Sequence, residues 1–68
     1  YFKKYEQAIK DLSEAIRLKP DFANAYNNRG LNYFMQEKID LGCNDARKAC
    51  ELGVCRTLEL VNAKGYCK

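Results

Sequence analysis

Residues 23–54, ANAYNNRGLNYFMQEKIDLGCNDARKACELGV, decide the fold of this chain. Their apolar and small residues recur at steps of three and four on both sides of a polar break at residues 36–38, which is the spacing of amphipathic helices. We expect one helix over residues 22–35 and the next over residues 39–52. Because so short a connection leaves little room, the two helices should fold back on each other as an antiparallel hairpin.

Two further helices flank this hairpin, so the predicted fold class is all-α with four helices. The first covers residues 2–18, and Pro20 ends it because the residue before a proline avoids helical dihedral angles. Asp21 is expected to cap the second helix by accepting backbone N–H groups. The fourth helix covers residues 54–64. Glycines that end a helix in the left-handed conformation follow the third and fourth helices, at Gly53 and Gly65.

The helical pattern repeats along the chain. When the sequence is shifted so that residues 1–20 fall on residues 35–54, like residues coincide. The matched pairs are Lys4 with Lys38, Asp11 with Asp45, Ala15 with Ala49, and Leu18 with Leu52. A fixed period of roughly 34 residues is typical of helical repeat proteins, in which each hairpin buries its apolar face against the next.

In this register the residues resemble the tetratricopeptide (TPR) repeat family, and residues 26–30 are most similar to its bacterial members. The matching positions are Ala23, Tyr26, Gly30, Tyr33, Ile39, Gly42, Ala46 and Ala49. The resemblance implies antiparallel helical hairpins of a TPR solenoid in a single domain, residues 1–68. Residues 1–20 would be the second helix of a truncated repeat, residues 21–54 a full repeat, and residues 55–68 a C-terminal capping helix.

Glycines inside two of the helices support this register on physical grounds. Gly30 and Gly42 each cost about 1 kcal/mol relative to alanine in a helix interior, which is unexpected unless close packing compensates for it. We therefore expect the two to face each other across the hairpin. Glu37 stands where the family has a glycine, so the chain must turn there without one.

The resemblance also implies an uncovered face on the first helix. The helix that would precede it in a TPR repeat is missing, which leaves Tyr1, Tyr5 and Ile9 open. A chain of 68 residues also has a marginal core. We expect that the chain self-associates through this face or is only marginally stable.

Composition argues against several classes of function. The chain carries 12 Lys and Arg and 9 Asp and Glu, intermixed along its length, so no nucleic-acid partner is expected. No apolar run approaches the roughly 18 residues that cross a bilayer, so no membrane insertion is expected. Histidine, the commonest general base and metal ligand, is absent. We therefore expect no catalytic residue, no cofactor and no metal.

The cysteines are the unusual feature of the composition, with four in the chain, all after residue 42. Buried free thiols, a zinc site and disulfide bonds are the three interpretations. The spacings Cys-x6-Cys, Cys-x4-Cys and Cys-x11-Cys do not resemble the short paired spacings of structural zinc sites. Free thiols and disulfides both stay open.

Helix geometry limits which disulfides can form. Cys43 and Cys50 are about 10.5 Å apart along one helix, beyond the Cα separation of roughly 7 Å that a bridge tolerates. If disulfides form, antiparallel third and fourth helices would pair Cys43 with Cys67 and Cys50 with Cys55. Residues 48–55 are also similar to cysteine-rich bacterial helical-hairpin repeat proteins, in which such bridges join successive hairpins. Disulfides would imply a periplasmic or exported protein, and free thiols a cytoplasmic one.

The TPR resemblance implies a protein or peptide as the partner. In that family the first helix of each repeat lines a concave groove, and here this is the second helix of the chain. Asparagine side chains suit such a groove because they both donate to and accept from a peptide backbone. The residues expected to face a partner are Asn24, Asn27, Asn28, Leu31 and Phe34. The predicted function is a protein–protein interaction module without catalysis.

Two other functions stay open. The chain could be a purely structural C-terminal cap of a longer solenoid. It could also be a thiol-redox protein that uses Cys55, beside Arg56 near the start of the fourth helix, although no histidine is present to activate the thiol.

Overall fold

The computed structural model describes residues 2–67, and within them four α-helices follow one another without a strand. The helices are α1 (Phe2–Leu18), α2 (Ala23–Met35), α3 (Ile39–Glu51) and α4 (Arg56–Ala63). The predicted all-α fold of helical hairpins is confirmed. Each helix begins and ends within two residues of its predicted bounds, which is the usual uncertainty at frayed helix ends.

The start of α2 differs from the prediction. Phe22 rather than Asp21 occupies the cap position, and no side chain caps the helix there. The backbone closes a tight turn instead, in which the Phe22 N–H donates to the Lys19 carbonyl at 3.0 Å. Asp21 lies within this turn and is exposed. The prediction of Asp21 as the N-cap is wrong, because the turn moves the cap position one residue along the chain.

The ends of α2, α3 and α4 share one kind of hydrogen-bonded turn, with a residue at positive φ just after the helix. At the end of α2 this residue is Glu37, with φ of 62°, and its N–H donates to the Phe34 carbonyl at 2.9 Å. After α3 and α4 the residues are Gly53 and Gly65, with φ of 110° and 83°. The predicted glycine ends are confirmed. Glu37 makes the same turn at a steric cost that glycine avoids.

Close backbone approach joins α2 to α3. A Cβ atom built on Gly30 would lie 3.2 Å from both the Asp45 Cβ and the Gly42 carbonyl oxygen. One built on Gly42 would lie 2.9 Å from the Phe34 ring. Ala46, fully buried, lies in the same interface. The expected meeting of the two helix-interior glycines is therefore confirmed, and it explains why larger residues are absent there.

The central helix of the fold is α2. It packs against α1, α3 and α4, whereas α1 packs against α2 alone within the described residues. The molecule measures 29 × 28 × 15 Å, so its thin dimension is about half of each of the other two. The core is accordingly small, and no large side chain of the described residues is fully buried.

One side of α1 is less covered than the matching side of α3. Asp45 of α3 is buried, whereas Asp11, its counterpart in the preceding repeat, is exposed. Of the residues predicted to form an uncovered face, Tyr5 and Ile9 are half-buried, and Tyr1 lies outside the described residues. Self-association through α1 stays a prediction.

Candidate peptide-binding groove

A groove with a volume of about 230 Å³ lies between α2 and α4. Its lining is largely apolar, with one cationic side chain. The lining residues are Leu31, Phe34, Met35, Leu60, Val61, Lys64 and Tyr66. Met35 and Leu60 are 58% and 54% exposed, although both are large and apolar. An exposed apolar concavity of this kind on a small chain is typical of a site that binds another molecule.

The exposed face of α2 continues the groove lining toward the start of that helix. Asn24, Asn28, Leu31 and Met35 are all exposed, and their spacing of three or four residues places them on one face. Asn27 is different, because it is only 2% exposed and its Oδ1 atom has no hydrogen-bond partner. A step of one residue turns a side chain by about 100°, so Asn27, which the sequence predicts to contact a partner, lies on the packed side of α2.

Phe34 belongs to both the groove and the core. It packs against the buried cluster of Cys43, Val61 and Cys67. Its ring lies 6.1 Å from the ring of Tyr66, centroid to centroid, in a stacked arrangement. Phe34 therefore forms part of the groove floor and fixes the distance between α2 and the turn after α4. That Phe34, Leu31, or the asparagines touch a partner stays a prediction.

Two cysteine pairs connect α4 to α3. The structure brings Cys43 to Cys67, with Cα atoms 5.5 Å apart, and Cys50 to Cys55, with Cα atoms 4.0 Å apart. In both pairs the sulfur atoms lie at disulfide-bonding distance. These are the pairs that an antiparallel α3 and α4 allow, and both flank the α4 side of the groove.

The two pairs differ in burial. Cys43 and Cys67 are 5% and 8% exposed and belong to the core cluster below the groove. Arg47 donates from Nη2 to the Cys67 carbonyl at 3.1 Å, which adds a second link between α3 and the segment after α4. Cys50 and Cys55 are half-buried. A reagent in solution therefore reaches the Cys50–Cys55 pair more easily.

An ion pair that the sequence reasoning missed joins the first three helices. The Arg29 guanidinium donates from Nε and Nη2 to the two carboxylate oxygens of Asp45, at 2.7 and 2.9 Å. Its Nη1 donates to Ser13 Oγ at 3.0 Å. The rings of Tyr26 and Tyr33 lie 5.7 and 5.8 Å from the guanidinium carbon. One side chain of α2 thus holds α1 and α3 at the same time.

The electrostatics of this ion pair follow from its surroundings. The hydrogen bonds that Arg29 donates to the Asp45 carboxylate raise the pKa of Arg29, and partial burial opposes that shift. The Asp45 side chain is 7% exposed, and a carboxylate so deeply buried needs a cation and hydrogen bonds. The sequence contains one signal for this ion pair. Asp45 lies among the small residues of the inner face of α3, and a carboxylate in that position needs a cation from a neighbouring helix.

The described residues offer little for other kinds of site. Among residues 2–67, no group of three or more His, Cys, Asp or Glu side chains could hold a metal ion. None of the described helices combines the length and apolar character needed to span a bilayer. Another depression on the surface is lined by residues of α1, namely Lys3, Glu6, Gln7 and Lys10. Because all four belong to one helix, the depression has no opposing wall.

Helical hairpins that pack through small residues and recur at a period of roughly 34 residues define a class of helical repeat proteins. Comparison with known families agrees, since the profile of the family described as TPR repeat matches residues 3–37. This chain belongs to the TPR repeat family.

Three relatives show how far the similarity extends. Serine/threonine-protein phosphatase 5 of Homo sapiens is 46% identical over 54 residues, which cover 76% of this chain and 11% of that protein. Hsp70-Hsp90 organizing protein 3 of Arabidopsis thaliana is 41% identical over 49 residues, 72% of this chain and 9% of that protein. Hsp70-Hsp90 organizing protein of Triticum aestivum is 43% identical over 49 residues, 72% of this chain and 8% of that protein. The chain thus spans about a tenth of the length of these curated relatives. No solved structure matches it.

Proposed function

We propose that this chain is a protein–protein interaction module that binds a peptide segment of its partner in the groove between α2 and α4. The observation that carries the proposal is the exposed apolar lining of this groove, above all Leu31, Met35 and Leu60. Two relatives are named as organizing proteins of Hsp70 and Hsp90, which supports a role in holding other proteins. The shared segment covers 11% of the phosphatase, so we propose no catalysis for this chain.

The chemistry of the groove favours an extended peptide with a large apolar side chain. The apolar end of the groove would remove that side chain from water. Lys64, which also lines the groove, would donate to a carboxylate or carbonyl group of the peptide. Asn24 and Asn28, exposed on the same face of α2, would donate to and accept from the peptide backbone. In the repeat register Asn62 of α4 corresponds to Asn28 of α2, and it too is exposed.

The division of the chain into repeats is part of the proposal. We propose residues 21–54 as a full TPR, residues 1–20 as the second helix of another, and residues 55–68 as a capping helix. The exposed polar side chains of α4, such as Glu59 and Asn62, support the cap, because the outer face of a terminal repeat must be compatible with water.

We also propose that both cysteine pairs are oxidised in the native protein. The placement of the sulfur atoms supports this, and so does the small core, which gains stability from cross-links. Disulfides persist in oxidising compartments, so this proposal favours a periplasmic or exported protein. A bacterial source stays a prediction from the sequence. Mass measurement without reductant tests the bonds, and a mass corresponding to four free thiols would refute them.

A paired substitution tests the groove. Peptides are first selected from a displayed random library on the oxidised chain, and their affinity is then measured by calorimetry. The variant Leu31→Ser with Leu60→Ser should bind at least about tenfold more weakly, equivalent to about 1.4 kcal/mol, because it removes apolar surface from both walls.

The matched control replaces two leucines outside the groove. Leu18 and Leu41 are 70% and 46% exposed, and neither lines the groove. Leu18→Ser with Leu41→Ser should leave the affinity unchanged. Equal binding by the groove variant and the wild-type chain would show that the peptide binds elsewhere.

A further inference from the structure

We propose that the redox state of Cys43–Cys67 gates the groove: the groove exists while this pair is oxidised and is lost when a dithiol reductant cleaves the bond. The inference rests on the proposed groove and names what controls its availability. Three observations support it: the bond lies beneath the groove, α4 makes few other contacts, and contacts other than the cysteine pairs join the remaining helices.

Besides the cysteine pairs, Leu58 packs α4 on the core cluster, and the Arg47–Cys67 hydrogen bond and the Tyr66–Phe34 stacking hold the segment after it. The helix has 8 residues, fewer than the roughly 12–15 that an isolated helix needs to be stable in water. Thr57 and Val61 are its buried residues, and no side chain caps its first turn. Without a covalent link, the free energy gained by burying so little surface has to offset the conformational entropy lost when the whole segment is ordered.

The Cys43–Cys67 bond controls the groove more directly than the Cys50–Cys55 bond does. Cys67 follows Tyr66, whose ring lines the groove and stacks on Phe34. The bond links residues 24 apart in sequence, so its loop contains all of α4. The Cys50–Cys55 bond links residues 5 apart and closes only the turn between α3 and α4.

The other three helices are also joined by contacts that do not involve these bonds. No cysteine lies in α1 or α2. Arg29 connects α2 to α1 and α3 through its hydrogen bonds to Ser13 and Asp45. The close approach of Gly30 to Gly42 and Asp45 also joins α2 to α3 without a covalent bond. Loss of α4 should therefore remove one wall of the groove and leave the other wall folded.

Cleavage follows ordinary thiol–disulfide exchange with a dithiol. One thiolate of the reductant attacks a sulfur of the pair, breaks the S–S bond and forms a mixed disulfide, while the other cysteine leaves as a thiolate and takes up a proton. The second thiol of the reductant, as its thiolate, then displaces the attached cysteine, which also ends as a thiol. The protein gains two electrons and two protons, and the reductant becomes a disulfide. Because Cys50–Cys55 is half-buried and Cys43–Cys67 is buried, the former should react first and the latter as α4 opens.

Amide hydrogen exchange on the full chain tests the gating. The loop-closure effect expected for the Cys43–Cys67 bond, which closes roughly 25 residues, is a several-hundred-fold change in exchange. Because dithiothreitol cleaves both bonds, exchange in α4 should accelerate by at least this factor on reduction. Exchange in α2 and α3 should change by less than about tenfold. The variant Cys43→Ser with Cys67→Ser should reproduce this pattern without reductant. The matched variant Cys50→Ser with Cys55→Ser should accelerate exchange in α4 by only about 40-fold.

The groove itself is followed with N-acetyl-leucine amide as the probe, by NMR of the Leu31, Leu60 and Val61 methyl groups. The probe should shift these signals in the oxidised chain and in the Cys50→Ser, Cys55→Ser variant. It should not shift them in the reduced chain or in the Cys43→Ser, Cys67→Ser variant.

The two readouts separate the two proposals. If the oxidised chain shows no probe shifts, the groove fails as a binding site, and hydrogen exchange alone then decides whether the bond holds α4. If probe shifts survive reduction, or if α4 stays protected after reduction, the gating is refuted. Loss of protection throughout α2 and α3 on reduction would also refute it, because the bond would then hold the whole fold.

Discussion

Arg29 links three helices through the polar contacts of a single side chain. It donates both to Asp45 of α3 and to Ser13 of α1, and it lies beside two tyrosine rings. Its raised pKa means that the charge is present at every pH below the ordinary value of an arginine and is lost only as the pH rises through the folded-state value. The contribution of this guanidinium to stability is therefore constant through the neutral range.

Replacing Arg29 with Met should destabilise the chain by about 3–5 kcal/mol, because the Asp45 carboxylate stays buried without its cation. Urea unfolding followed by circular dichroism measures the change. Replacing Asp45 with Leu in the same chain should recover most of the loss, since no uncompensated charge is then buried. If Arg29→Met alone were as stable as the wild-type chain, the ion pair with Asp45 would not stabilise the fold.

The exposed ion pair of α1 provides the control. Glu14 accepts from Arg17 Nε at 3.0 Å, and this hydrogen bond lowers the pKa of Glu14. The benefit is present above the unfolded-state pKa and is lost as the pH falls through the folded-state value. Because both side chains are exposed, solvent and salt screen the pair, and Glu14→Gln should leave the unfolding midpoint unchanged.

At the scale of elements, the connection between α2 and α3 shows a local conflict between residue and conformation. Glu37 has φ of 62°, the left-handed region in which a Cβ atom is crowded, whereas the equivalent positions after α3 and α4 are glycines. Glu37 keeps this unfavourable φ because tertiary contacts fix the relative position of α2 and α3. These contacts are the close approach of Gly30 and Gly42 and the ion pair of Arg29 with Asp45.

Glu37→Gly should stabilise the chain by about 0.5–1 kcal/mol, since relief of the left-handed strain exceeds the extra entropy of glycine in the unfolded state. Thermal unfolding at constant pH measures this change in stability. Glu51→Gly is the matched control, because the same substitution inside the last turn of α3 should destabilise by up to about 1 kcal/mol. Destabilisation by Glu37→Gly would mean that the turn carries no such strain.

At the scale of the whole molecule, the thin shape leaves α1 packed on one side only. Leu12 of α1 is half-buried, whereas Ala46, its counterpart in the following repeat, is fully buried in α3 against α2. A 68-residue chain with so small a core benefits from any further burial of apolar surface. This is the physical reason for the predicted self-association through α1.

Sedimentation velocity over a range of concentrations should therefore show reversible association of the oxidised chain. Leu12→Asn should weaken it at least about tenfold by removing apolar surface from the partly covered side of α1. Leu18→Asn, at a position 70% exposed at the end of the same helix, is the control and should have no effect. A single monomeric species at the highest concentration for the wild-type chain would contradict the prediction.

The sequence by itself determined the elements and their repetition. Helix period, Pro20 and the glycines act within a few residues, so four helices and most of their ends could be predicted from local rules. The repeat register identified the family, and antiparallel geometry limited the cysteine pairs to those that the structure brings together.

Tertiary structure alone decided the rotation of each helix and the meeting of distant side chains. Asn27 and Asn28 are neighbours in sequence, yet the packing of α2 buries the first and exposes the second. Arg29 and Asp45 are 16 residues apart, and the groove joins Leu31 to Lys64 and Tyr66 across two helices. The pattern of apolar and polar residues along the chain does not specify such contacts. A rotation of α2 about its axis by a fraction of a turn leaves the helical period of the pattern unchanged but changes which side chains meet.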